Sequence, residues 1–132
     1  MDNKAIAKRV YEDIMSKGNL GLIDELFSED FVDRSFEGRE AHLNEVKQGF
    51  AQLRKIFPDL KVVVNDVFTE GDKAAVRFTS TGTHKAEFLE VAATNRKISW
   101  NVIDVLRFKD GKIAERWGVE DNLGILEQLK KK

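Results

Sequence analysis

The sequence has no cysteine among its 132 residues. This absence excludes disulfide bonds, thiolate metal ligands and a cysteine nucleophile. It fits a reducing compartment, so we expect a cytoplasmic protein. The only two histidines, His42 and His84, are far apart in the sequence and give no zinc-binding spacing. We therefore expect no metal site.

Other chemistries are missing as well. The sequence has no Gly-x-x-x-x-Gly-Lys or Gly-x-Gly-x-x-Gly loop for phosphates and no serine nucleophile elbow, so we expect no cofactor. The net charge is -1 and basic residues alternate with acidic ones, which argues against nucleic acid as a partner. No apolar run reaches membrane-spanning length and no signal peptide is evident, so we expect no membrane association.

The chain has the length of one ordinary domain, and we assign residues 1–132 to it. Apolar residues at steps of three and four predict a helix over residues 3–17 and a short helix near residues 22–27. The same spacing predicts a third helix that follows Gly38 and ends at Pro58. Leucines spaced at three predict a closing helix, with Leu123, Leu126 and Leu129 on one face.

From Leu60 onward the period changes to two, which is typical of strands. Gly71-Asp72 predicts one hairpin and Asp110-Gly111 a second, because Asp-Gly suits a type I′ turn. The stretch 85–97 is less regular, and it is either a bulged strand or a loop over a pocket. Helices followed by a four-stranded meander predict an α+β fold: a cone in which a curved antiparallel sheet carries the N-terminal helices on its concave face.

The second turn also predicts which residues share a face of the sheet. If Lys109 pairs with Lys112, regular pairing continues to Trp100 opposite Asp121. The face with more apolar residues should point inward. On the two strands of this hairpin, its members are Trp100, Val102, Asp104, Leu106, Phe108, Ile113, Glu115, Trp117, Val119 and Asp121. We expect a pocket for an apolar small molecule, lined by Tyr11 of the first helix and by Trp100, Val102, Asp104, Glu115, Trp117 and Val119 of this face.

Three carboxylates on a buried face are costly, because burial disfavours the charged form and raises the pKa. Groups of this kind serve as acids and bases at neutral pH. For Glu115 we favour a structural ion pair, for Asp104 both interpretations stay open, and for Asp121 at the strand end we favour a functional role. His84 follows a strand end, where it is either a proton carrier or a structural histidine.

The opposite face of the sheet carries Ile103 and Val105 beside the small residues Ala114 and Gly118. This apolar strip predicts a homodimer through the outer sheet face.

Several segments resemble the SnoaL-like polyketide cyclases, within the wider nuclear transport factor 2-like superfamily. The ending from Arg107 to Trp117, with Glu120-Asp121-Asn122-Leu123-Gly124 and Gln128-Leu129 after it, matches the family pattern. Thr81-Gly82-Thr83-His84 with Glu87-Phe88 resembles a second family segment, and residues 26–33 resemble the superfamily's opening.

The resemblance implies an α+β cone, usually dimeric, that closes rings by an aldol reaction without metal or cofactor. It implies that Asp121 is the acid–base residue and that Trp117 and His84 line or border the pocket. Two hypotheses follow: metal-free cyclisation or isomerisation of an apolar carbonyl substrate, or a non-catalytic module of the same fold that binds a ligand or forms a dimer.

Overall fold

The computed structural model describes residues 2–35 and 40–131. The helical segments are α1 (Asn3–Arg9), a π-helical stretch (Val10–Ser16), a 3₁₀ turn (Leu20–Leu22), α2 (Ile23–Leu26), α3 (Leu43–Ile56) and α4 (Asn122–Lys130). The strands are β1 (Phe27–Asp33), β2 (Ala41–His42), β3 (Lys61–Glu70), β4 (Lys73–Thr83), β5 (Lys97–Lys109) and β6 (Lys112–Glu120). Gly38, where the third helix was predicted to begin, lies outside the described residues.

The first predicted helix is confirmed, and its second half is wound as a π-helix. The Asp2 side chain caps α1 by accepting a hydrogen bond from the Ala5 amide at 2.8 Å. The helical run ends near Gly18, whose φ of 76° lies in the left-handed region that glycine adopts readily. Within the π-helical stretch, Tyr11 and Met15 are buried in addition to the positions that regular helical spacing would bury. Such windings are frequent at functional sites, and this one turns the only tyrosine toward the sheet.

The sheet has six strands in the order β2-β1-β6-β5-β4-β3. The α+β class and the antiparallel meander of β3 to β6 are confirmed. The prediction of an entirely antiparallel sheet is wrong, because β1 pairs with β6 in parallel. The chain turns extended at Phe27, and Phe27, Phe31 and Asp33 are then buried against the rest of the sheet.

In the first hairpin, pairing of Glu70 with Lys73 predicts a cross-strand ion pair between Asp66 and Arg77, with Val64 on the same face and Val63 on the opposite one. The ion pair is confirmed. Arg77 pairs with Asp66, and its Nε donates to Asp66 Oδ2 at 2.7 Å. A bulge between Val64 and Asp66 shifts the register beyond them. Val64 therefore lies opposite buried Phe78, and Val63 is 48% exposed. The faces predicted for these two valines are wrong for this reason.

The second hairpin contains a bulge that changes the site. Lys109 pairs with Lys112 and Phe108 with Ile113, as predicted, but Arg107 pairs with Glu115. Ala114 is the extra residue, and every later residue of β6 faces the opposite way from the prediction. The predicted pairs Asp104–Trp117, Val102–Val119 and Trp100–Asp121 are therefore wrong.

Outside the strands, the two remaining segments are now defined. Of the two alternatives for the 85–97 stretch, the structure has a loop with one isolated bridge between Phe88 and Val91. The closing helix is present as α4, but it buries Ile125 and Leu129, whereas Leu123 is 68% exposed. No helix in the described part of the chain has the length and apolar character needed to cross a membrane.

Candidate functional site

A cavity of about 530 Å³ lies between the helices and the inner face of the sheet. Much of its wall is apolar, including Phe27, Phe31, Phe50, Phe78, Phe88 and Trp100. The Tyr11 and Phe78 rings pack with their centroids 4.3 Å apart. A volume of this size is typical of sites for small organic molecules.

Four buried or half-buried polar side chains meet at one wall of this cavity. Arg116 Nη2 donates to Asp104 Oδ1 at 2.8 Å, and Arg116 Nη1 donates to Asp33 Oδ2 at 2.7 Å. The Tyr11 hydroxyl donates to Asp104 Oδ2 at 2.7 Å. We call Tyr11, Asp33, Asp104 and Arg116 the Arg116 cluster.

Each member of the cluster comes from a different element. Asp104 lies on the inner face of β5, Tyr11 in the π-helical stretch and Asp33 at the end of β1. Arg116 reaches the inner face because of the bulge at Ala114, and its backbone pairs with that of Asp33 across the parallel strands. The cluster therefore depends on the two features of the sheet that the sequence did not predict.

Burial and charge act together on these groups. Desolvation raises the pKa of Tyr11 well above its ordinary value, and the Asp104 carboxylate raises it further. Burial by itself lowers the pKa of the Arg116 guanidinium, but Asp104 and Asp33 outweigh that effect and leave it raised. Tyr11 therefore keeps its proton and Arg116 its charge at neutral pH.

Gly118 provides the space in which Arg116 meets Asp104. It pairs with Asp104 across the strands, and a Cβ built on it would lie 2.2 Å from Asp104 Oδ1 and 2.5 Å from Arg116 Nη2. Those distances are far inside van der Waals contact. A glycine inside a strand often marks a close approach of this kind.

We expect Gly118→Ala to destabilise the protein by about 1–3 kcal/mol, the usual cost of overpacking a filled site. The matched control is Gly49→Ala in α3, where a new Cβ would meet nothing within 4 Å. Alanine is the better helix former, so the control should gain about 0.5–1 kcal/mol. Chemical denaturation of both variants measures the difference, and equal stabilities would contradict the packing described here.

Glu120 lies on the same inner face, two positions beyond Gly118, and lines the cavity. Its side chain is exposed to solvent, yet the protein around it reduces the solvation of its charge. Burial raises the pKa of Glu120, Arg116 lowers it, and the carboxylates of Asp104 and Asp33 raise it again. The net direction is upward, which suits a group that exchanges protons near neutral pH.

The structure separates the predicted pocket residues into two groups. Tyr11, Trp100, Val102 and Asp104 line the cavity. Trp117 and Val119 lie on the outer face, paired with Val105 and Ile103, because of the bulge. Their placement in the pocket was wrong.

Glu115 also lies on the outer side, and there it forms the structural ion pairs that we favoured. It accepts hydrogen bonds from Arg34 Nε at 2.5 Å and from Arg107. These two bonds lower the pKa of Glu115. Its predicted place on the inner face was wrong.

Asp121 follows the end of β6 and is the N-cap of α4. Its Oδ1 accepts a hydrogen bond from the Gly124 amide at 2.9 Å, and its side chain is exposed. It is not among the residues that line the cavity. The predicted position opposite Trp100 on a buried face was wrong, so its catalytic role has lost the geometric reason for which we favoured it.

His84 is buried and organises the loop that follows β4. Its Nδ1 accepts from the Thr94 amide at 3.1 Å and lies 3.0 Å from Thr94 Oγ1. Its backbone amide donates to the Arg96 carbonyl. These contacts support the structural alternative, and His84 is not among the cavity-lining residues.

Several cavity residues were not predicted from the sequence, among them the charged residues Asp33, Arg116 and Glu120. A signal was available, because the shifted register brings Arg107 beside Glu115 and Arg116 beside Asp104, whereas the regular one left the carboxylates unpaired. Within residues 2–35 and 40–131, no three His, Asp or Glu side chains converge as metal ligands would.

Comparisons with known proteins agree with the fold. Residues 5–129 match the SnoaL-like polyketide cyclase family. No curated protein sequence matches the chain. Among solved structures, AclR, a candidate hydroxylase from Streptomyces galilaeus, is 32% identical with a TM-score of 0.86, over 98% of this chain and 81% of that one.

Two further solved structures carry the name of candidate polyketide cyclases. A protein from Bacillus cereus is 34% identical with a TM-score of 0.79, over 94% of this chain and 77% of that one. IdmH from Streptomyces antibioticus is 28% identical with a TM-score of 0.83, over 95% and 96%. The family match spans nearly the whole chain and these structures share its architecture, so the chain belongs to the SnoaL-like polyketide cyclase family.

Proposed function

We propose that the cavity carries out cofactor-free acid–base chemistry on a neutral, largely apolar carbonyl compound, by ring closure or isomerisation. The observation that carries this proposal is the position of Glu120 on the inner face of β6, in line with Gly118 and Arg116, at the wall of an apolar cavity. The candidate base is therefore Glu120, the neighbour of Asp121, which the sequence favoured.

Glu120 has the properties of a working base. Among the residues that the structure describes, no ion pair holds its carboxylate as Arg116 holds those of Asp104 and Asp33, and its side chain is exposed to solvent. The raised pKa makes its ionised form a stronger base than an ordinary glutamate. Asp104 differs, because Tyr11 and Arg116 already occupy both of its oxygens.

Arg116 supplies the positive charge. Among the described lining residues it is the only cation, beside the carboxylates of Asp33, Glu45, Asp104 and Glu120. When a proton leaves the carbon next to a carbonyl, negative charge develops on the carbonyl oxygen. The Arg116 guanidinium is the group at the cavity wall that opposes this charge, and its ion pairs with Asp33 and Asp104 reduce its effect.

The proton balance of the reaction closes without another reactant. Glu120 takes a proton from the carbon next to the carbonyl, and the electrons of that C–H bond form an enolate. The enolate then attacks a second carbonyl of the same molecule. Where it is conjugated with a C=C bond, Glu120 can instead return the proton to the far carbon of the conjugated system. In ring closure the new alkoxide receives the proton instead. Glu120 ends each cycle ionised.

A substrate-independent test uses proton exchange. We expect the purified protein to accelerate the exchange of α-protons of 2-tetralone, a neutral aromatic ketone, with D₂O, as followed by proton NMR. Buffer alone and the unfolded protein are the controls. Exchange at the buffer rate, with the ketone shown to bind, would favour the second hypothesis, a non-catalytic binding module. The closed ion pairs of the Arg116 cluster are the observation that favours this alternative.

We also propose that a second copy of the chain covers the outer sheet face. The bulge places Trp117 and Val119 there beside Val105 and Ile103, and Phe68 extends the apolar patch. Phe68 is 69% exposed and Val119 is 76% exposed, and exposed apolar patches often mark interaction surfaces.

Val119→Glu should convert this dimer to a monomer, because it places a charge within the apolar patch. Leu123→Glu is the matched control, since Leu123 is exposed to a similar extent but lies on α4. Sedimentation velocity at micromolar concentration measures the effect. A wild-type protein that sediments as a monomer would contradict the proposal.

A further inference from the structure

A polar group of the cavity remains without a partner. Ser80 lies on the inner face of β4, and its side chain is 0% exposed. It lines the cavity, and its hydroxyl has no hydrogen-bond partner among the residues that the structure describes. Leaving a buried hydroxyl unpaired is costly, and most such groups are satisfied in native proteins.

Ser80 lies far from the Arg116 cluster along the sheet. Ser80 pairs with Trp100, whereas Asp104 pairs with Val76. The two positions are thus four residues apart along the strands, or about 13 Å. Between them the inner face carries the apolar side chains of Phe78 on β4 and Val102 on β5, with Glu120 on β6 beside Val102. Ser80 and the Arg116 cluster are therefore separate polar groups, with an apolar wall on β4 and β5 between them.

We infer that Ser80 is a second hydrogen-bonding subsite, which takes an oxygen of a neutral, elongated ligand whose other polar group contacts the Arg116 cluster. This inference rests on the proposed function and adds a residue that selects the ligand. The two ligand oxygens then lie on the order of 10 Å apart.

The charge of the cavity selects a neutral ligand over an anion. The described lining residues include four carboxylates and one guanidinium, and Asp33 and Asp104 already pair with that guanidinium. An added carboxylate near the cluster would meet negative charge in a poorly solvated site. A hydroxyl or a carbonyl carries no such penalty.

Three small rigid probes test the inference by calorimetry: 4,4′-biphenol, 4-phenylphenol and biphenyl-4-carboxylate. The first two differ by one hydroxyl. We expect wild-type protein to bind the diol about three- to tenfold more tightly than the monophenol, the usual gain from one neutral hydrogen bond. We expect the carboxylate to bind most weakly.

Ser80→Ala should abolish the preference for the diol and leave the affinity for the monophenol unchanged. It should also raise the melting temperature of the ligand-free protein, because an unpaired buried hydroxyl is removed; a serine with a structural hydrogen bond would lower it. Thr79→Ala on the outer face of the same strand is the control and should keep the preference.

Three outcomes would overturn the inference: equal binding of the two phenols, a preference that survives Ser80→Ala, or binding of none of the neutral probes. Tighter binding of the carboxylate would overturn the neutral ligand class. These failures are distinct from failure of the proposed function, because they concern binding at Ser80, whereas the proposed function fails if Glu120 neither accepts protons nor affects exchange.

Discussion

Replacing Arg116 by leucine should destabilise the protein by about 3–5 kcal/mol at neutral pH. The substitution leaves Asp33 and Asp104, which are 5% and 2% exposed, without their shared counter-charge. Removing one partner of a buried ion pair costs this much, because the remaining charge stays desolvated. A loss of that size is a large part of the stability of an ordinary domain. Chemical denaturation measures it.

Two variants serve as controls for Arg116→Leu. Arg77→Met breaks an exposed ion pair with Asp66 and should cost no more than about 1 kcal/mol. Asp104→Asn in the Arg116→Leu background should recover part of the loss, because it removes one of the unpaired charges. A loss for Arg116→Leu no larger than that for Arg77→Met would show that the Arg116 cluster does not form as described.

Glu120→Gln should lower turnover by about a hundred- to ten-thousand-fold, the usual contribution of a general base. Glutamine keeps the size and polarity of the side chain, so binding of the ketone should change little. The measurement is α-proton exchange of 2-tetralone, or turnover of any substrate that the wild-type protein converts. The loss should appear in the rate constant rather than in the affinity.

Asp121→Asn gives the sharpest comparison with Glu120→Gln. Asparagine keeps an oxygen that can accept the hydrogen bond from the Gly124 amide, so the cap of α4 is retained. We expect this variant to keep wild-type turnover. The reverse result, loss at position 121 and not at 120, would support the residue that the family resemblance favours and contradict the face assignment of β6.

Stability separates a catalytic Glu120 from a structural one. A carboxyl pKa raised in the folded state means that the folded protein holds this proton more strongly than the unfolded chain does. Stability is then lost as the pH rises from the unfolded pKa, about 4.3, through the higher folded pKa. Removing the charge by Glu120→Gln should leave stability unchanged or slightly higher at neutral pH. A clear loss would indicate a structural role.

Most of the fold could be predicted from hydrophobic spacing and turn residues. Helix α3, the meander and the Asp66–Arg77 pair follow from local patterns and a short turn. The parallel strand β1 could not be predicted, because its partner β6 is about eighty residues away in the sequence and no turn fixes their register.

The candidate site was predicted only in part, and one residue explains why. Tyr11 and Asp104 line the cavity as expected. Asp104 does so because β5 is regular and its faces follow from spacing, whereas Tyr11 is turned inward by the π-helical stretch. Ala114 adds one residue to β6, and a one-residue shift moves every later side chain to the other face. Glu120 therefore lies on the inner face, where Trp117, Val119 and Asp121 were expected.

A bulge of this kind can be predicted from the pairing of charges but not from hydrophobic spacing. Both faces of β6 mix charged and apolar residues, so alternation does not select a register. Only the shifted register pairs Glu115 with Arg107 and brings Arg116 beside Asp104. Testing each register for unpaired buried charge would have favoured the observed one.

The measurement that tests the central claim most directly is a carboxyl-carbon NMR titration of Glu120, assigned by the signal that disappears in Glu120→Gln. We expect its pKa to lie clearly above the ordinary value for glutamate and to respond when 2-tetralone occupies the cavity. A pKa at the ordinary value, unchanged by the ketone, would contradict a cavity-facing Glu120 and with it the proposed acid–base site.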